Sequence, residues 1–90
     1  MTARRSVPRS ETAIRAAMDL LPGLSPPDVS SVESMLDGGE WVLAFEVMCE
    51  QAYEYDVPVS REGLDTIRAL GRELGVRDFY ADLLKANVQD

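Results

Sequence analysis

Gly38-Gly39-Glu40-Trp41-Val42-Leu43-Ala44-Phe45-Glu46-Val47-Met48-Cys49-Glu50-Gln51-Ala52-Tyr53-Glu54-Tyr55 is the stretch around which the 90-residue chain is organised. It holds the only Trp, the only Cys, one of the two Phe and two of the three Tyr, and no positive charge. Glycines open it and Pro58 closes it, so a helix of about four turns fits between them. At about 100° per residue, Trp41, Ala44, Phe45, Met48, Ala52 and Tyr55 fall on one face. Val42, Cys49 and Tyr53 are expected to widen that face on one flank. Glu46, Glu50 and Glu54 form a second stripe, with Leu43 and Val47 between it and the core face. A row of like charges at i,i+4 costs a few tenths of a kcal/mol per pair. An otherwise apolar helix that keeps such a row is expected at the centre of the fold, with a narrow exposed face.

Ninety residues suffice for one domain with a modest core and no covalent staples. Apolar content of 46% and charged content of 28% place the chain among ordinary globular domains. A single Cys excludes an intrachain disulfide, and with no His a zinc site is nearly excluded too. Cys49 therefore reads as a small buried apolar residue in a reducing compartment. The arginine pair near the start raises export as an option, but Glu11, Arg15 and Asp19 interrupt the apolar run a signal peptide needs. No stretch approaches the roughly 18 apolar residues of a membrane span. The expected location is the cytoplasm.

The net charge of −7 is unevenly spread. Residues 1–15 carry four Arg and one Glu, residues 16–60 carry nine acids and no Lys or Arg, and residues 61–90 carry five bases and six acids. A long run without a cation argues against contact with nucleic-acid phosphates through the middle of the chain. It suits a partner that is itself basic. Solubility alone would account for a net charge of this size as well.

Residues 1–9 read as a disordered basic tail, and residues 10–90 as a single helical-bundle domain. Ser10 is the expected N-cap of a first helix from Glu11 to about Leu21, with Ile14, Ala17, Met18 and Leu21 inward. Pro22-Gly23 ends it. Ser25 or Pro26 precedes a second helix running to about Leu36, with Val29, Val32, Met35 and Leu36 inward and Asp28 at the positive end of its dipole. Asp37-Gly38-Gly39 breaks the chain before the third helix. Asp56-Val57-Pro58-Val59 is an extended connector, because the residue before a proline is pushed out of the α region. Ser60 caps a fourth helix with Leu64, Ile67, Leu70 and Leu74 inward. Gly71 permits close approach of another helix, and Gly75 is a C′ candidate. A short fifth helix from Arg77 to about Ala86 presents Phe79, Tyr80, Leu83 and Leu84. Alternating β patterns are absent. The fold class is all-α, a compact bundle of four to five helices.

Nothing here assembles a catalytic apparatus. Without His, a Ser or Cys nucleophile lacks its usual base. Gly38-Gly39 is not followed by the Lys-Ser/Thr of a phosphate loop. Asp37, Glu40 and Glu33 do not follow the spacing of a calcium loop. Glu33-Ser34-Met35-Leu36-Asp37 loosely echoes the modified serine of acyl carrier proteins. Carriers start a helix at that serine, however, whereas Ser34 lies near the end of the second helix. The expectation is a protein that is not an enzyme, with no cofactor and no metal.

With the helices placed, residues 39–51 followed by Pro58-Val59-Ser60 and by Leu64, Ile67 and Leu70 resemble the MafI family of immunity proteins. The matching features are Gly39-Glu40-Trp41, Ala44, Pro58 and Leu74-Gly75, and the resemblance covers roughly residues 18–84. It implies a small cytoplasmic helical protein that neutralises a cognate secreted toxin, often one with a nuclease tip, and it carries over no enzymatic residues. Inhibitors of nucleases gain association rate from an acidic face that meets the phosphate-binding surface. The residues available for such a face are Glu40, Glu46, Glu50 and Glu54 on the third helix, with Asp37 and Asp56 at its ends. Tyr53 and Tyr55 flank that face with the aromatic contacts common in interfaces, although Tyr55, like Trp41, also falls on the core face, so that core and interface stay open for these two. The alternative is a generic helical interaction or regulatory module, for instance a homodimer.

Overall fold

Apolar side chains at helical spacing gather the described residues into five α-helices. The computed structural model describes residues 9–89: α1 (Arg9–Met18), α2 (Pro26–Asp37), α3 (Trp41–Glu54), α4 (Arg61–Glu73) and α5 (Asp78–Leu83), followed by a 3-10 turn, Leu84–Asn87. The fold is an all-α bundle. Residues 1–8 of the expected basic tail and Asp90 lie outside the described residues, while Arg9 already belongs to α1. Ser10 consequently sits inside α1 instead of capping it. The helix stops at Met18, short of Leu21, and the chain tightens through i→i−3 hydrogen bonds at Asp19, Leu20 and Leu21. Pro22 disfavours the α conformation at Leu21, which accounts for the early stop. Leu21 is buried all the same.

Ser25 caps α2, its Oγ accepting from the Asp28 amide at 3.3 Å, with prolines in the first turn. Ser60 caps α4, its Oγ accepting from Gly63 N at 2.9 Å. Three helices end in one motif. After α2, Gly39 takes φ +77° while Glu40 N donates to Met35 O at 2.9 Å and Gly39 N to Leu36 O at 3.0 Å. After α4, Gly75 takes φ +78°, with Val76 N donating to Gly71 O and Gly75 N to Arg72 O. After α3 the left-handed position falls to Asp56, at φ 52°, with Val57 N donating to Ala52 O and Asp56 N to Tyr53 O. These paired bonds satisfy carbonyls that a helix end leaves without partners.

α3 is the hub, packing against α1, α2, α5 and the 3-10 turn. Ala44, Phe45, Met48, Cys49 and Ala52 are its buried residues, and they join Ile14, Leu21, Val32, Leu36, Ile67 and Leu84 in one core. Burying a side chain the size of Leu or Phe stabilises by about 1.5–3 kcal/mol, so this arc accounts for the position of α3. α4 lies beyond, and the Phe45 ring spans the gap. A Cβ built on Gly71 would stand 3.0 Å from Phe45 Cζ, so the close approach expected at this glycine is made to an aromatic ring.

The core face of α3 is narrower than its periodicity predicts. Tyr55, on the core face by periodicity, is 66% exposed, because the turn at Asp56 ends the helix before Tyr55 can complete another turn. Val42 and Tyr53 are exposed too, and Trp41 is half-buried, with its indole Nε1 shielded and unpartnered among the described residues. The fifth helix is also shorter than expected. It gives way to the 3-10 turn, where Asn87 is buried. Val59 meets Val88 in an isolated parallel bridge, Val59 N donating to Asn87 O at 3.1 Å and Gln89 N to Val59 O at 2.9 Å. Among the described residues no helix is long and apolar enough to cross a membrane.

Candidate protein-binding surface

Arg15, Arg68 and Arg72 pair with acids of other helices. Arg15 on α1 binds Glu11 at 3.0 Å, reaches Glu33 at 3.5 Å, and holds Asp37 Oδ1 at 3.0 Å. Arg72 forks onto Asp78 with bonds of 3.0 and 2.9 Å, and Arg68 donates to Asp82 at 2.7 Å, with Lys85 3.5 Å from the same carboxylate. These bonds clamp α5 onto α4 and hold the Asp78 and Asp82 carboxyls below the usual carboxylate range, the Arg72 and Arg68 hydrogen bonds being the leading causes. Gln51 Nε2 donates to Asp28 Oδ1 at 2.7 Å, tying α3 to the start of α2.

None of these partners reaches the outer face of α3. Glu46, Glu50 and Glu54 form no ion pair among the described residues. Glu50 and Glu54 are exposed and Glu46 is half-buried. Val42, Leu43 and Tyr53 lie among them. Among the described residues, four of the five exposed large apolar side chains belong to α3 or its C-cap: Val42, Leu43, Tyr53 and Tyr55. The fifth, Phe79, stands across a groove from Val42. Apolar and anionic groups thus share one face.

The seven residues expected at the site do not form one patch. Glu46, Glu50, Tyr53 and Glu54 share the outer face of α3, and Asp56 follows in the turn beyond it. Asp37 lies before the opposite end of the helix and is held by Arg15. Glu40 is exposed at the N-cap of α3, where its side chain makes no capping bond and its carbonyl accepts from Ala44 N. Sequence reasoning missed Val42, Leu43 and Phe79 as surface groups. A signal for Val42 was present, since it stands one turn before Glu46 and so continues the acidic row, not the core arc. Compared with family models, with curated proteins and with solved structures, the chain matches none.

Proposed function

We propose that this chain is an immunity-type binding protein of the MafI kind, which neutralises the basic catalytic domain of a cognate toxin in the cytoplasm. The observation that carries the reading is the outer face of α3, where Glu46, Glu50 and Glu54, without an ion pair among the described residues, lie among exposed Val42, Leu43 and Tyr53. Apolar and aromatic groups at the centre of an interface supply affinity, while surrounding charges of one sign steer encounter and reject wrong partners. The homodimer alternative is disfavoured on this face. Two copies of α3 laid against each other would oppose one acidic row to another, and like-charge juxtaposition at an interface costs several kcal/mol.

The test is a titration of the chain against the product of the adjoining gene, at low and high salt, beside the triple variant Glu46→Gln/Glu50→Gln/Glu54→Gln. The variant keeps side-chain size and relieves i,i+4 repulsion, so its melting temperature should hold or rise. Its affinity should fall by at least about tenfold, or 1.4 kcal/mol. Salt should weaken the parent more than the variant. Equal affinities for parent and variant at both salts would leave the row an ordinary solvated face and overturn the proposal.

A further inference from the structure

The outer face of α3 is bounded on one side by a groove of about 520 Å³. Val42 and Glu46 form one wall. The left-handed turn at Gly75 reverses the chain so that Val76, Phe79 and Tyr80 form the other. Phe79 is exposed, its ring 5.2 Å from that of Tyr80 and nearly perpendicular to it. An exposed Phe facing an exposed Val across one groove favours an occupant with apolar surface. The same groove carries a half-buried carboxylate, Glu46, which forms no ion pair among the described residues. Arg77 stands on the rim, also without an ion pair among the described residues. Glu46 and Arg77 are the two charged residues of the lining, and at the Tyr80 hydroxyl the acids weigh more: it is pushed above its ordinary value first by burial, then by Glu46 and Glu50, against a smaller opposing effect of Arg77.

We infer that this groove is the anchor pocket for an arginine side chain of the partner protein. The aliphatic stem would lie along Val42, the guanidinium would meet the Glu46 carboxylate, and its plane would pack on the Phe79 ring. Arginine fits better than lysine, because a guanidinium is planar, weakly hydrated, able to stack on rings and able to fork onto a carboxylate. The inference rests on the toxin-neutralising reading for the identity of the partner, and on the groove for its chemistry.

Two experiments test it. In the first, the isotope-labelled chain is titrated with the peptide acetyl-Gly-Arg-Gly-amide and with its neutral citrulline analogue, following backbone amide shifts. The arginine peptide should move Val42, Glu46, Gly75, Phe79 and Tyr80 together. The citrulline peptide should bind at least about tenfold more weakly. Glu46→Gln should abolish the groove shifts, and Arg77→Gln, which removes a like charge from the rim, should strengthen binding a few-fold. Shifts spread equally over Glu62, Asp65 and Glu73 would overturn the inference. So would groove resonances that move with protein concentration alone, which would assign the groove to a second copy of the chain.

In the second experiment the adjoining gene's product is titrated against Glu46→Gln and Phe79→Ala, each checked by its melt. Losses of at least about tenfold for both support the pocket. A product that binds both variants as tightly as the parent overturns the pocket and leaves the toxin-neutralising reading standing. A product that ignores the parent, while the arginine peptide fills the groove, overturns that reading and supports the groove's chemistry.

Discussion

Cys49 shows how one position on α3 serves the core and feels the acidic face together. It is fully buried, and its thiol is pushed up to about 12, by burial first and then by Glu50 and Glu46. The thiolate is the nucleophile, so a thiol held neutral in this way is inert. The unfolded thiol ionises near the ordinary value of 9.0, while the folded one stays protonated up to about 12. Between those values the unfolded state binds fewer protons, so stability falls as pH rises. The thiol's contribution is therefore complete below the lower value and is lost as pH climbs through the upper one. Cys49→Ala cannot ionise. The parent should be the more stable of the two at neutral pH, by about 1–2 kcal/mol for the lost packing. That advantage should shrink as denaturant melts are repeated toward alkaline pH, and alkylation of the folded parent should be no faster than its unfolding. Rapid alkylation of the native protein would show the thiol to be accessible. The buried state of Cys49 was legible in the sequence from its place beside Met48. Its proximity to Glu46 and Glu50 was legible too, since positions three and four apart, and adjacent ones at the edge of an arc, share the helix surface.

At the scale of elements, the helices were legible from apolar stripes of the right period, with recognisable N-caps at α2 and α4. Ser25 and Ser60 cap where expected, and Gly39 and Gly75 take the left-handed positions after α2 and α4. The end of α3 was legible to within a residue, since the connector was expected from Asp56, but the left-handed conformation of Asp56 was not, because an aspartate does not announce it as glycine does. Tyr55 is left at the C-cap, where helical periodicity no longer decides which way its side chain faces. The physical cost is open to measurement. An L-residue in the left-handed region is strained by about 1–2 kcal/mol, with Asp and Asn among the better tolerated. Asp56→Gly removes that strain while keeping the bonds Val57 N to Ala52 O and Asp56 N to Tyr53 O, which are made by backbone. Its melting temperature should rise, corresponding to up to about 1 kcal/mol. An unchanged or lower value would mean that the aspartate side chain stabilises the turn by as much as its backbone strains it.

On the whole-molecule scale, the acidic middle of the chain was legible from composition, but not how the cations are shared out. Arg15 reaches Glu33 and Asp37 from α1 to α2, and Arg68 and Arg72 pair with α5, so among the described residues Glu46, Glu50 and Glu54 have no ion pair, a state they share with Asp19, Glu62, Asp65 and Glu73. Such pairings join residues distant in sequence, and no local spacing announces them. The same holds for the closure of the fold by Asn87. Its buried Nδ2 donates to Ala52 O at 2.8 Å and to Val57 O at 3.0 Å, while its backbone carbonyl accepts from Val59 N. One side chain thus ties the C-terminal segment to the end of α3 and to the connector after it. A buried carbonyl that loses its donor bears a desolvation cost of about 1–3 kcal/mol. Asn87→Ala strips Val57 O of that donor, whereas Ala52 O keeps the one from Val57 N. The variant should therefore stay folded, with a melting temperature lowered in line with that cost. The amides of Val59 and Gln89, which form the bridge, should exchange faster with solvent, and those of α1 and α2 should not change. The loosened end of α3 carries Tyr53, Glu54, Tyr55 and Asp56, so binding to the toxin domain should weaken too, though less than in the triple glutamine variant. Asn87→Leu restores volume without the donors and should not rescue either effect. Rescue by leucine would show that Asn87 acts through packing, and that the end of α3 is positioned by the Asp56 turn alone.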